Sequence, residues 1–383
     1  MAFDRDVRVS LCVVTLGTPD RLRGCLEALV AHASRHDFTV VIVVNSAAPD
    51  GAPVPVAVPT GVLVDQVELN LGWPGGLHRA RALTDAELLV WVQDDMTPEP
   101  GWLDALVDAA DAHPGVGGFG AVAVDDDGRV VVHNAGRAEP PDAVERWNDT
   151  DTTPESLPTE VTTYDWVTSK GFLTRAAVFD EVGGPDPRLW PLNHVDKDYC
   201  THLRCHGYDV ALVPGARLRH GGSQSAPTSF RAFLAHWREP WLNQRWARSV
   251  AALAGRSSGT VDHPCAEWRS LTADAVTVAA AVEASRMLVP LTRSLAREAA
   301  DLDAVRSTML DDMRAHADRV AVDHATSTAH AAYLQEALSA AEEERDRALR
   351  RVRRLRRRLR VVEGSVSWRA TTRLRALRRR LRG

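Results

Sequence analysis

The chain has no run approaching the roughly 18–20 consecutive apolar residues that a membrane-spanning helix needs, so any association with a bilayer is expected to be peripheral. It opens without a basic-plus-apolar leader segment. Cysteine is sparse. Cys12, Cys25, Cys200, Cys205 and Cys265 are odd in number and follow no framework spacing. That argues against a disulfide scaffold and for free thiols in a reducing compartment. Together these features lead us to expect a cytoplasmic protein, peripheral at the inner face of the cell membrane. Lysine is almost missing: of 46 basic residues only Lys170 and Lys197 are lysines, a bias that fits a GC-rich genome.

What is present is ordinary for a globular protein. The 383 residues are 45% hydrophobic and 25% charged, enough for a sizeable core and for two or three structural units. The net charge of −5 hides an asymmetry. Residues 345–383 hold 17 Arg against Asp346 and Glu363, a local charge of +15 that leaves the rest near −20. An acidic body with a basic tail points to an anionic partner for the tail, or to a helix kept soluble by its arginines.

Hydrophobic runs alternate with helical patterns through the first half. Strands are predicted at residues 7–16, 40–44, 62–69 and 88–92, and helices from Pro19, at 75–86 and at 102–112. A hairpin is expected around Asp125–Gly128 between 116–124 and 129–133, a loop over 138–160, and one strand over 161–173. Helices at 176–182 and 196–206 and a strand at 210–213 close the pattern. This is the order of an α/β protein: a mostly parallel, Rossmann-like sheet flanked by helices, binding ligands at the strands' carboxyl ends. The expected organisation is an α/β domain over 1–225, a helical extension over 226–330, a coiled coil over 331–363 and a basic amphipathic tail over 364–383. Leu334, Leu338, Ala341, Ala348, Val352, Leu355, Leu359 and Val362 form the heptad seam, broken once at Arg345. That seam would support a homodimer, or one helix lying on its own domain. Trp368, Leu374, Leu377 and Leu381 opposite arginines fit a helix lying on an anionic membrane surface.

Three constellations could carry chemistry. Asp94-Asp95 follows the strand 88–92; two carboxylates at a strand end suit a hard divalent cation, or a solvated acidic turn. Asp196 and Asp198 stand at the start of a helix, where one could act as general base toward a hydroxyl, although either alone also fits a cap. Asp196 is the choice for the base. His220, followed by Gly221-Gly222, could be a metal ligand or an ordinary surface histidine. Cys200, His202, Cys205 and His206 imitate a zinc set, but on a helix the two thiols stand about 140° apart, so zinc is not expected.

In this order the pieces resemble the family 2 glycosyltransferases of GT-A fold, with a flavour of the rhamnosyl- and galactofuranosyltransferase branch, over roughly residues 7–225. The carrying segments are VSLCVVTLGTPDRLRGCLEAL, NLGWPGG, WVQDDMTPEPGWL, VTSKGFLTRAAVFDEVGGPDPRLW and VDKDYCTHLRCHGYDVALVPGARLRHGGS. The resemblance implies an inverting transferase moving a sugar from a nucleotide-diphosphate sugar to the hydroxyl of a glycan or lipid-linked acceptor, in cell-envelope synthesis. Asp95 would bind Mn²⁺ or Mg²⁺ with Asp94 beside it and His220 as a further contact, and Asp196 would be the base. Thr15, Leu16, Gly17, Asn45, Asn70 and Gly72 would line the nucleotide, with Trp166 and Asp198 on the substrate side. Three positions depart from the family pattern: Gln93 replaces a third aspartate, Asn45 stands where an aspartate contacts the base, and Val195 replaces an acid.

Two other readings compete. A sugar nucleotidyltransferase would want a glycine-rich basic loop after the first strand, and Gly17-Thr18-Pro19-Asp20 is not one. A catalytically inactive nucleotide-sugar binder or coiled-coil scaffold would use the basic tail on a membrane or on nucleic acid. Nucleic acid is the less expected partner, because it leaves the acidic constellations without a role.

Overall fold

The computed structural model describes residues 7–16, 19–31, 34–45, 62–67, 70–131, 134–139, 144–147, 152–220, 296–315 and 328–364, with single positions between 234 and 293. By contacts the chain divides into two compact units, Met1–Glu283 and Ala284–Gly383. The first unit thus runs on past residue 225: Leu234, Arg238, Arg245, Trp246 and Ser249 are all buried.

The first unit opens with β1 (Val9–Thr15), α1 (Pro19–Ala31), β2 (Phe38–Val44), β3 (Val62–Gln66), α2 (Gly72–Arg81) and β4 (Leu88–Gln93). Then come β5 (Met96–Pro98), α3 (Trp102–Ala112), β6 (Val116–Val124), β7 (Ala135–Glu139) and β8 (Val144–Trp147). The order closes with β9 (Thr162–Tyr164), β10 (Trp166–Val167), β11 (Phe172–Arg175), α4 (Ala176–Val182), α5 (Val195–Cys205) and β12 (Asp209–His220). The main sheet runs β3-β2-β1-β4-β11-β6-β12-β5, with β9 beside β12. Strands β1 to β4 pair in parallel, as does β6 with β12. The sheet is nevertheless mixed, because β11 runs antiparallel to both neighbours and β5 antiparallel to β12.

Strand alternation sorts the core into two layers. Val9, Leu11, Val13, Val40, Ile42, Val44, Leu88 and Val90 face Leu22, Leu26 and Leu29 of α1 and Leu103, Leu106 and Val107 of α3. Cys12, Val14, Val41, Val43, Leu89 and Trp91 face the other way, into a cluster with α2, α4 and α5. There Trp91 stacks on Phe172 at 4.6 Å and meets Tyr199 at 5.1 Å. All four described cysteines are buried thiols.

Several expectations are corrected. The single strand over 161–173 is three, because β9, β10 and β11 pair with different partners. The loop over 138–160 holds β8 and the end of β7, which pair with each other and with β10 in a small second sheet. The segments AGRAE and VERW give no hydrophobic alternation to read. Of the predicted strand at 129–133, the described part, 129–131, forms one bridge, Val124 to Val130, and 132–133 lie outside the described residues. The closing strand extends from 210–213 to His220, with its register shifted between Val213 and Arg217 where Pro214 and Gly215 interrupt the ladder.

In the second unit a helix spans Thr328–Gly364 and covers the heptads. Val352 is buried on its seam, while Leu338 is exposed. Ion pairs from Arg351 to Glu298 and from Arg356 to Asp303 tie it to 296–315. The amphipathic tail from residue 365 lies outside the described residues. Among the described residues no helix is long and apolar enough to cross a membrane.

Packing of α2 on β1 requires Gly76: a Cβ there would run into both methyls of Val14. Gly76→Ala should lower stability by about 1–3 kcal/mol. Gly115→Ala, whose Cβ meets nothing within 4 Å, should stay within about 0.5 kcal/mol. Urea unfolding of both variants checks this.

Candidate active site

Parallel pairing of β1 with β4 matches Val14 to Gln93, so Thr15 and Asp94 emerge together at the sheet's carboxyl edge. The Thr15 hydroxyl donates to Asp94 Oδ2 at 2.5 Å. The other side of the acid pair is supplied by β12, whose last residue registers with Met96 on β5. That brings His220 Nε2 to 3.4 Å from Asp95 Oδ1 and 3.3 Å from Gln93 Oε1. Gln93, the departure from a third aspartate, therefore faces the imidazole.

The pair is electrostatically uncomfortable. Burial first, and then the neighbouring Asp94 charge, push the Asp95 carboxyl up to about 6. Asp94 is raised as well, by burial, against the pull of the Thr15 hydrogen bond. Asp95 Oδ1 is buried without a hydrogen bond. Two cations act against this: Arg21, in the first turns of α1, and Lys170. Sequence reasoning missed both. The available signal was that Lys170 is one of two lysines in a chain that otherwise uses arginine.

Lys170 belongs to the turn that joins the two halves of the site. The last pair of β11 with β4 is Phe172 with Trp91, so two residues further along each strand stand Lys170 and Gln93. Within that turn, the Ser169 backbone N–H donates to Asp196 Oδ2 at 3.2 Å, with Ser169 Oγ at 3.5 Å. Asp196 Oδ1 accepts from the Lys197 N–H at 3.0 Å. Asp196 is half-buried in the first turn of α5. One four-residue turn, Thr168–Gly171, thus reaches Asp196 through Ser169 and the acid pair through Lys170. Gly171, at φ +65°, is pressed so closely on Leu218 and Ala121 that a side chain would collide with both.

Other expected contacts serve the architecture. Asn45 is buried, and its amide is fully used: Nδ2 donates to the Gly72 carbonyl and Oδ1 accepts from the Leu71 N–H, both at 2.7 Å. Asn70 Oδ1 accepts from the Gly72 N–H at 2.8 Å, and its carbonyl accepts from Trp190 Nε1 at 2.7 Å. Gly72 sits at φ +71°, where a Cβ would lie 2.7 Å from the Trp190 ring. These contacts hold the Asn70–Gly72 segment in shape. Asp198 is 1% exposed, held by Arg245 Nη2 at 2.8 Å and Trp246 Nε1 at 3.1 Å, which leaves no face for a substrate. Trp166 is likewise buried, with Lys197 Nζ 4.7 Å over its ring. Leu16 is exposed just past β1. Gly17 lies outside the described residues.

Residues 10–180 match the family model described as glycosyl transferase family 2. This match covers somewhat less than half of the chain. No curated protein matches the chain. Solved structures similar to it include GalNAc-T7 with UDP, GalNAc and Mn²⁺, at 13% identity over 58% of this chain and 45% of that one, TM-score 0.44. Also similar are S. aureus TarS 1-349 with UDP, at 12% identity over 72% of this chain and 70% of that one, TM-score 0.41, and with UDP-GlcNAc, at 14% over 58% and 60%, TM-score 0.40. The chain spans less than half of the GalNAc-T7 chain. The assignment rests on the family match alone. Asp196 and His220 lie beyond the matched stretch and are joined to it through Ser169 and Gln93.

Asn45 cannot be exchanged for the aspartate of the family pattern without placing a second acceptor against the Gly72 carbonyl. Asn45→Asp should cost about 1–3 kcal/mol in urea unfolding. For Asp95 the sign follows from its raised value. Between about 4 and 6 the folded state binds the proton that the unfolded state has released, so this group's contribution to stability falls as pH rises through that window. A divalent cation relieves the ionised form and competes with the proton. Added Mn²⁺ should therefore raise the melting temperature at pH 7.5 and have little effect at pH 5, read by thermal unfolding.

Proposed function

We propose that the chain is an inverting, metal-dependent glycosyltransferase that moves a sugar from a nucleotide-diphosphate sugar to an acceptor hydroxyl. The observation that carries this reading is the Thr168–Gly171 turn, which links Asp196 to the same sheet edge as Asp94 and Asp95. A base has to sit within hydrogen-bond reach of the hydroxyl it activates, on the side opposite the leaving diphosphate. A cleft shared by both groups would meet that requirement.

Among the described residues no group of three His, Cys, Asp or Glu side chains is placed to hold a metal ion. The donors present still fit a divalent cation that completes its shell from a ligand. Asp95 offers a buried oxygen without a hydrogen bond, and His220 offers Nε2 beside it. Asp94, tied to Thr15, adds negative charge without turning both oxygens inward. Bound there, Mn²⁺ or Mg²⁺ would neutralise the departing diphosphate. Arg21 and Lys170 add positive charge at the same edge. Asp196 takes the acceptor proton as the new bond forms, and displacement from the face opposite the leaving group inverts the anomeric carbon. The Ser169 and Lys197 N–H groups keep the carboxylate aimed while it is charged.

The acceptor we favour is a lipid-linked or envelope glycan, because the basic tail over 364–383 would bring the enzyme to an anionic membrane face. The long helix over Thr328–Gly364 would support a homodimer by its heptads.

A panel of nucleotide sugars, rhamnosyl and galactofuranosyl donors among them, read by product mass identifies the donor. With that donor, Asp196→Ala should lose about 10²–10⁴-fold in turnover while binding the nucleoside diphosphate as the wild type does. Wild-type turnover in Asp196→Ala would remove it from the mechanism. Undiminished activity in excess chelator would contradict the role given to Asp95 and His220.

A further inference from the structure

The approach to α5 passes through two successive non-glycine residues in the left-handed region, Asn193 at φ 74° and His194 at φ 60°. Side-chain-bearing residues rarely adopt this conformation, and it persists only where the surroundings over-determine it. Here the surroundings come from later in the chain. Successive side chains of a helix point about 100° apart, and the first turn of α5 sends three consecutive ones in three directions. Asp196 goes to Ser169. Lys197 goes into a cage of two indoles, its Nζ 4.7 Å from the Trp166 ring and 3.9 Å from that of Trp246. Asp198 goes to Arg245 and Trp246.

Trp246 therefore touches the turn at several points. Its ring covers Lys197 and meets His194 edge-on at 5.4 Å, and its N–H reaches Asp198. It also packs with Leu189 and Val195. Arg245 closes the other end. One guanidinium nitrogen binds Asp198 at 2.8 Å and another binds Asp186 at 2.7 Å. Asp186 in turn accepts from the Arg188 N–H at 2.8 Å. A planar, five-donor cation is suited to hold two carboxylates at once in fixed geometry. The segment from 186 to 198 is thus pinned at both ends by one residue and covered in the middle by the next.

We propose that Arg245 and Trp246, outside the matched family stretch, are positioning residues that fix the aim of Asp196 through Asp198 and Lys197. This rests on the transferase reading above. Among the described residues, their side-chain hydrogen bonds, ion pairs and ring contacts go to Asp186, His194, Lys197 and Asp198 and not to Asp94 or Asp95, so their effect should fall on acceptor activation more than on diphosphate binding. A base displaced by about an ångström loses roughly a hundredfold in rate; partial loosening should therefore cost about tenfold or more.

The test uses the full chain with two conservative changes. Trp246→Phe keeps a ring over Lys197 and removes the N–H to Asp198. Arg245→Lys keeps the charge and reaches only one of the two acids. Three quantities are read: turnover of the donor found in the panel, affinity for its nucleoside diphosphate with Mn²⁺, and amide hydrogen exchange over residues 193–199. Both variants should turn over about tenfold more slowly or worse, bind the diphosphate within about twofold of wild type, and exchange faster at Lys197 and Asp198 only. Wild-type turnover in both variants overturns the proposal. So does a loss of diphosphate affinity that parallels the loss of turnover, since that marks general destabilisation. If the wild-type chain accepts no nucleotide sugar, the transferase reading falls instead. The exchange arm then decides alone: faster exchange confined to 193–199 keeps the clamp, and unchanged exchange removes it.

Discussion

Two carboxylates that cannot comfortably be charged together stand at the end of one buried strand, and much of the site is arranged around them. β4 is apolar on both faces, so Asp94 and Asp95 are the first residues free to leave the sheet. Their mutual repulsion in a partly dry setting raises Asp95. Relief is drawn from several elements: a hydroxyl from β1, an imidazole from β12, and the charges of Arg21 and Lys170.

Packing also leads from the end of β2 toward Asp196. Asn45, at the end of β2, fixes Leu71 and Gly72. Gly72 abuts Trp190 and Pro191, and the Trp73 N–H donates to the Pro191 carbonyl at 2.6 Å. The chain then enters α5 under Arg245 and Trp246. A series of contacts therefore runs from the end of β2 to the helix bearing Asp196. Asn45 in place of an aspartate belongs to this series. An amide can donate and accept at once, as the Gly72 carbonyl and Leu71 N–H require, whereas a carboxylate only accepts.

Much of this was legible in the sequence where the hydrophobic period was strong. β1, β2, β4, α1, α3 and α5 lie within a few residues of their expected places, because buried strands and amphipathic helices advertise themselves locally. Asp94, Asp95, Asp196 and His220 were named as candidates on residue type and position alone. The hairpin β7–β8 and the division of 161–173 into three strands were not legible. Strand identity there depends on which partner lies alongside, and alternation does not record that. Asp198 and Asp196 look equivalent on paper, two residues apart at a helix start. Only the arrival of Arg245 and Trp246 distinguishes them.

The sequence by itself determined the α/β order, the acid pair at a strand end and the acidic first turn of α5, because each follows from short-range periodicity and residue chemistry. Tertiary structure decided which polar groups face a ligand and which are consumed in holding the fold. It turned Asn45, Trp166 and Asp198 inward and set the charges of Arg21 and Lys170 against the acid pair. The reason is that a buried polar group must find its partner wherever the folded chain supplies one, and those partners come from distant parts of the sequence that no local pattern connects.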